Sequence, residues 1–203
     1  MKASKDNSLN GKSSLKTEAI LCGAMQVFMN KGYAAASMDR IAVAAGVSKP
    51  TLYSYFKDKE GLFTALIEQK VLGDTIPKIL GDSKFLQQPL HKSLKQIATI
   101  LLDKFSSEQE LTTLLRLLIG ESSRFPNLAQ TFVRNIEQPV LQQLTRLFSD
   151  HPDFQVDDPE VTARFFQGSI IHYVLIQEIL HGREILPMER DRFIDGLIDT
   201  IVK

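Results

Sequence analysis

Between Ser37 and Phe56 the chain reads Ser-Met-Asp-Arg-Ile-Ala-Val-Ala-Ala-Gly-Val-Ser-Lys-Pro-Thr-Leu-Tyr-Ser-Tyr-Phe. Ser48, Lys49, Pro50, Thr51 and Tyr53 fall on the outer face of a short helix, near its N-terminus. Hydroxyls, an ammonium group and an aromatic edge placed there suit base edges and phosphates in a major groove. The neighbouring residues account for how such groups would be held. Ser37 and Ser48 are N-cap types, and Asp39 falls in a first turn, where negative charge suits the helix dipole. Gly46 supplies the backbone conformation of a tight turn. Ala42 is small enough for a second helix to cross above it, while Ile41, Val47 and Leu52 fill the wedge between the two. Two helices of about eight residues around a glycine-centred turn make a helix-turn-helix over residues 37–56.

Other chemistry does not assemble. Gly11-Lys12-Ser13 matches the end of a phosphate-binding loop, but that motif needs glycine where Asp6 stands, and a strand before it. The four histidines, at 91, 151, 172 and 181, include no i, i+4 pair, so no helical metal motif is present. Asp157 and Asp158 lie beside a proline in an acidic loop, where solvation is the default. Cys22 sits among the apolar residues of the first helix and reads as an inert core thiol. No nucleophile has an identifiable base. The sequence therefore predicts no enzyme, no cofactor and no metal.

The elements around the motif are all helical. No run alternates apolar and polar residues in strand fashion. A first helix is expected from just after Ser13 or Ser14 to Asn30-Lys31-Gly32, where Gly32 closes it with positive φ. The second and third helices are those of the motif, ending at Gly46 and near Phe56. A fourth starts at an Asp58 cap and runs towards Gly73 or Pro77. Residues 81–89 read as a connector. Amphipathic helices follow at 91–105, 108–124 and 126–148, the last kinked or broken at Pro139. An acidic loop and two helices, at about 159–181 and 188–202, complete about nine helices in an all-α fold.

The chain has 203 residues, 43% of them hydrophobic and 24% charged, which is ordinary globular composition. One cysteine makes no internal disulfide, so a reducing cytoplasm is the expected home. The polar, basic start lacks a signal peptide's apolar stretch, so export is not expected. Net charge is zero, but residues 1–70 hold ten Lys/Arg against six Asp/Glu, and the remainder fourteen against eighteen. A basic front on an acidic body suits a protein that offers one end to a polyanion.

Residues 37–56, continued through Asp58-Lys59-Glu60-Gly61-Leu62-Phe63 and preceded by Ala24 to Phe28 and Gly32-Tyr33, resemble the DNA-binding domain of TetR/AcrR transcriptional regulators. The resemblance covers about residues 14–74. Farther on, Glu121-Ser-Ser-Arg124-Phe125-Pro126 is similar to a stretch of the AefR-like subgroup. The resemblance implies an N-terminal three-helix DNA-binding domain at 14–74 and a larger ligand-binding and dimerisation domain at 75–203. It implies phosphate contacts from Ser37, Tyr55 and Lys59, and major-groove contacts from Ser48, Lys49, Pro50, Thr51 and Tyr53. The basic arm at Lys2, Lys5, Lys12 and Lys16 would add backbone contacts. Arg40 reads as surface. The implied function is a repressor on a pseudo-palindromic operator, released by a small-molecule effector. The alternatives are a helical adaptor that has kept the fold without specific DNA recognition, and an activator without an effector.

Two further expectations concern the second domain. From Phe165 to Leu180 few polar residues interrupt an apolar stretch, and a helix apolar nearly all round must be covered on both sides. With the stripe Phe193/Leu197/Ile201 beside Ile194/Ile198, this predicts a homodimer through the last two helices; the competing reading is a central core helix in a monomer. Nine of twelve phenylalanines lie beyond residue 80, and aromatic-lined cavities bind apolar effectors. A pocket drawing on Phe105, Leu118, Glu121, Arg124, Phe166 and His172 is one reading of them. Plain core, a satisfied histidine and a surface ion pair are the other.

Overall fold

Helices of seven residues are not stable alone, since isolated helices need ~12–15 residues. The two that form the motif, α2 (Met38–Ala44) and α3 (Lys49–Tyr55), therefore depend on what they bury. In a computed structural model, which describes residues 6–71, 84–152 and 154–202, Ile41 and Leu52 are fully buried, with α2 packed on α1 (Asp6–Ala35) and α1 on α4 (Lys59–Val71). Ile20, Ala24 and Phe28 of α1 and Leu62, Phe63, Leu66 and Ile67 of α4 complete that core. Each large apolar side chain fully buried there contributes about 1.5–3 kcal/mol relative to exposure.

The predicted caps form. Ser37 Oγ accepts from the Arg40 N–H at 3.4 Å, Ser48 Oγ from the Thr51 N–H at 3.2 Å, and Asp58 Oδ1 from the Gly61 N–H at 2.8 Å. Gly46 takes φ +65 at the turn. Gly32 takes φ +73 with ψ 169, a region open essentially to glycine alone, and breaks α1 where the sequence indicated. The start of α1 differs: it is helical from Asp6, not from Ser13, because Asn10-Gly11 lowers helix propensity by only ~1 kcal/mol and no proline stops the backbone. Lys2 and Lys5 of the expected basic arm lie outside the described residues, as does the side chain of Lys12; Lys16 is exposed. Cys22 is exposed rather than buried, because it shares the outward i, i+4 face of α1 with Glu18 and Gln26.

The remainder is also helical, and no strand occurs among the described residues. One turn, α5 (Lys84–Gln87), forms inside the expected connector. It is followed by α6 (Leu90–Ser107), α7 (Gln109–Glu121), α8 (Pro126–Phe132), α9 (Gln138–Asp150), α10 (Pro159–Val174) and α11 (Arg190–Ile201). The single helix predicted for 126–148 is divided by a π turn, Val133–Glu137. Pro139 has no N–H for an interior helical bond, and the Gln138 N–H reaches back to the Val133 carbonyl instead. A second π turn, Leu175–Ile179, extends α10.

Helix α10 lies between α9 and α11 and buries Ala163, Phe166, Ile170 and Val174. Helix α11 buries Ile194, Leu197 and Ile198 against α6 and α10, where Lys95–Asp195 (2.5 Å) and Arg190–Asp103 (2.6 Å) tie it down. Helix α7 touches both halves of the molecule, packing on α1 and α4 as well as on α6 and the second π turn. No helix among the described residues is long and apolar enough to cross a membrane.

Candidate nucleic-acid interface

On α3 the side chains divide by face. Leu52 points inward, Tyr55 is half-buried against the core, and Ser48, Lys49, Pro50 and Tyr53 are exposed, Tyr53 to 45%. Thr51 is half-buried, its hydroxyl 2.7 Å from that of Ser48. Pro50 falls in the first turn, where its missing N–H leaves no helical bond unmade. Ser54 Oγ donates to the Thr51 carbonyl at 2.7 Å and so is turned back on the helix. The exposed groups at the N-terminal end are therefore presented by a short helix that is capped locally and anchored through one buried leucine. Phe56 packs against the core while half-buried.

Lys49 is held by Asp39 at 2.6 Å across the turn, and that carboxylate raises the lysine's pKa by hydrogen bonding and charge. Both side chains are more than half exposed, so the pair is weak and a phosphate can compete for the ammonium group. Arg40 is exposed, its guanidinium donating to the Ala35 carbonyl at 2.9 Å.

Lys59 departs from the phosphate role the resemblance implied. Its ammonium group donates to the carbonyls of Tyr33 (2.7 Å), Ala36 (3.0 Å) and Ala34 (3.4 Å), which accounts for all three of its protons. It also stands 4.4 Å above the Tyr33 ring. Desolvation lowers its pKa. Lys59 is thus a C-terminal clamp on α1, holding the strand of backbone that leads into α2.

That clamp meets the second half of the molecule. Tyr33 packs against Phe28, Phe63 and Phe125, with ring centroids 5.7, 5.0 and 5.0 Å away. Burial, with Glu60, Asp58 and Glu121 nearby, pushes the Tyr33 hydroxyl up to about 12. Phe125 belongs to the turn between α7 and α8, and the Arg124 guanidinium lies 5.4 Å from its ring. Lys70–Glu110 (2.6 Å) and an Asn135 amide donating to Glu68 (2.7 Å) add polar ties between the halves.

The six residues suggested for an effector pocket do not converge. Glu121 and Arg124 sit at the junction just described. Phe166 is fully buried beside Phe148, and Leu118 is buried in α7. His172 is exposed, because α10 turns Ala163, Phe166, Ile170 and Val174 inward and leaves His172 on the opposite side with Phe165 and Gly168. Of the six, Phe105 lines a cleft of about 740 Å³ between the end of α6, the first half of α7 and the second π turn. Sequence reasoning missed its other walls, which include Ser106, Gln109, Thr113, Arg116 and Glu178.

It also missed Gly23. A Cβ there would stand 2.6 Å from the backbone nitrogen of Ala45, so this glycine lets α1 and the turn of the motif touch. A glycine in the middle of an apolar helical run was the available signal.

A family model described as "Bacterial regulatory proteins, tetR family" matches residues 20–66. Another, described as "AefR-like transcriptional repressor, C-terminal domain", matches residues 92–203. The HTH-type transcriptional regulator YvkB of Bacillus subtilis is 27% identical over 192 residues, covering 91% of this chain and 94% of that protein. A TetR-family regulator from Mesorhizobium loti superposes with a TM-score of 0.73 at 25% identity, over 94% of this chain and 96% of the other. The flavonoid-responsive regulator FrrA does so with a TM-score of 0.71 at 28% identity, over 92% and 93%.

Proposed function

The chain belongs to the TetR family of bacterial regulatory proteins, and from that premise we propose that it is a homodimeric repressor released from its operator by a small-molecule effector. The observation that carries the reading is the exposed N-terminal face of α3, with Lys49, Pro50 and Tyr53 outward on a helix fixed by Leu52. In this reading Ser48, Lys49, Pro50, Thr51 and Tyr53 enter the major groove, and Ser37 and Tyr55 approach phosphates. Lys59 acts from behind, by holding the end of α1. The match of residues 92–203 to an AefR-like repressor domain supports repression.

Dimerisation through α10 and α11 draws support from what their outer faces carry. Val161, Phe165 and Ile171 are exposed apolar residues on α10. Gly168 and Gly196 lie on exposed faces of these helices with open space where a Cβ would stand. Glycine inside a helix costs ~1 kcal/mol relative to alanine, so its placement there fits close approach by a second helix. A two-fold dimer would set the recognition helices ~34–36 Å apart, one turn of DNA.

Helix α7 links effector and operator in this scheme. Its first half lines the cleft, and its far end leads to Arg124 and Phe125 on the Tyr33–Lys59 clamp. A ligand shifts the equilibrium only by its differential affinity for the two states; ~100-fold corresponds to about 2.7 kcal/mol. The test is fluorescence anisotropy of the protein on DNA upstream of its own gene at ~150 mM salt, with scrambled competitor. Specific binding that survives the competitor, and repression of a reporter carrying that fragment, are expected. Equal weak binding to all genomic fragments would favour the adaptor reading, and reporter induction would make the protein an activator.

A further inference from the structure

The cleft between α6, α7 and the second π turn holds a half-buried charge with no partner of opposite sign. Arg116 donates from Nε to the Ile179 carbonyl at 2.9 Å and from Nη2 to the Glu178 carbonyl at 2.6 Å. No carboxylate among the described residues pairs with it. A guanidinium carries five N–H groups, so three remain after those two bonds. A half-buried guanidinium held by two carbonyls and lining a cleft is placed to form charge-assisted bonds to an anion that enters there.

The other walls define that anion. Glu178 lines the same cleft, but it is already occupied by Arg183 and by the Ser106 hydroxyl at 3.1 Å. With Glu184, which also lines the cleft, it opposes more than one further negative charge at Arg116. Phe105 and His181 supply ring surfaces; Ser106, Gln109 and Thr113 supply hydroxyl and amide groups. The lining is more polar than apolar, which suits a short, flat ring that bears hydroxyls, stacks on Phe105 and hydrogen-bonds around it better than a long alkyl chain.

Two backbone features mark the same wall. The π turn at Leu175–Ile179 presents the carbonyls that orient Arg116, and such turns occur frequently at functional sites. His181, two residues later, takes φ +57 where the helix ends, and the Gly182 N–H closes back on the Ile176 carbonyl at 2.8 Å. We infer that this cleft is a binding site for a small hydroxylated aromatic monocarboxylate, with Arg116 as the fork that receives its carboxylate. The inference rests on the effector-responsive reading above and names the effector's class.

Calorimetry on the full-length protein without DNA tests it. The probes are 4-hydroxybenzoate, 3,4-dihydroxybenzoate and 4-hydroxycinnamate, with 4-hydroxybenzamide as the uncharged counterpart and octanoate as the alkyl acid. At least one aromatic acid is expected to bind saturably below about 1 mM, and 4-hydroxybenzamide about tenfold more weakly than its acid, as loss of a charge-assisted bond demands. Arg116→Lys should weaken the acid about tenfold, because a point charge lacks the fork. Thr113→Val, which leaves Arg116 and its carbonyls in place, should weaken the hydroxylated acids more than benzoate. Failure of all three acids to bind, equal binding of the amide, or tighter binding of octanoate would overturn the assignment. Operator anisotropy separates the two claims. Acid binding that leaves operator affinity unchanged keeps the site and removes effector release; release by the amide or octanoate alone does the reverse.

Discussion

In the helix-turn-helix, the hydrogen bonds that shape the site join residues three to five positions apart: Ser37 with Arg40, Arg40 with Ala35, Ser48 with Thr51. In the cleft between α6, α7 and the second π turn, Arg116 reaches residues 62 and 63 positions away, and Ser106 reaches Glu178 across 72. The first site is written in caps, a turn glycine and a wedge of apolar residues, all within one stretch of twenty. The second exists only after α6, α7 and the end of α10 have packed. The contrast teaches where residue types suffice and where they do not. Local chemistry is set by neighbours in sequence, whereas a cleft between helices depends on which faces meet.

The comparison breaks most decisively at Gly23, where the motif depends on close approach by α1. Replacing a helical glycine by alanine ordinarily stabilises by ~0.5–1 kcal/mol. At Gly23 the added Cβ meets the Ala45 backbone, so Gly23→Ala should destabilise by about 3 kcal/mol and abolish operator binding. Chemical denaturation gives the sign, and a stabilised variant would refute the contact. Gly168→Ala is its counterpart on α10, with open space around it. It should stabilise an isolated chain but loosen the proposed dimer, which sedimentation at falling concentration would detect.

Phe125→Ala strikes the link between the two regions. Losing its ring from Tyr33 and Lys59 should cost about 2 kcal/mol and leave operator binding less responsive to ligand. Undiminished ligand response would rule out this turn as the link. Smaller again is the contrast between two lysines. Lys49→Met should lower the salt dependence of operator binding by about one unit per half-site, as loss of a phosphate contact does. Lys59→Met should leave that slope unchanged and lower stability by about 1–2 kcal/mol, because its protons serve carbonyls at the end of α1. A flattened slope for Lys59→Met would restore the phosphate role.

The smallest effect concerns Glu137, beside the π turn, which accepts a hydrogen bond from Gln167 at 2.7 Å. Burial raises its pKa above that of an ordinary glutamate. A carboxyl raised in the folded state is more stabilising protonated, and that contribution is lost as pH rises through its folded pKa. Glu137→Gln should therefore raise the melting temperature at neutral pH, with the gain shrinking towards pH 4.5. A gain independent of pH would dissociate it from this carboxyl.

Legibility followed the same division. Ser37, Ser48 and Asp58 as caps, and Gly32 and Gly46 at positive φ, could be read because each acts on residues within one turn. Cys22 could have been read as exposed, since Glu18 and Gln26 share its face of α1. His172, Glu121 and Arg124 could not be assigned by pattern: periodicity tells which residues share a face, not which element covers it. The break before Pro139 was visible, but its form as a π turn was decided by how the chain recovered the missing bond.

By itself, then, the sequence determined an all-helical chain with a helix-turn-helix near its front, because capping, turn conformation and 3.6-residue periodicity are local properties. Only the tertiary structure decided that Lys59 clamps α1, that Phe125 presses on Tyr33, and that Arg116 lines a cleft where no carboxylate among the described residues pairs with it. Each of these depends on a contact between residues 26 to 92 positions apart in the chain. Such contacts are fixed by the packing of whole helices, and no stretch of sequence carries them alone.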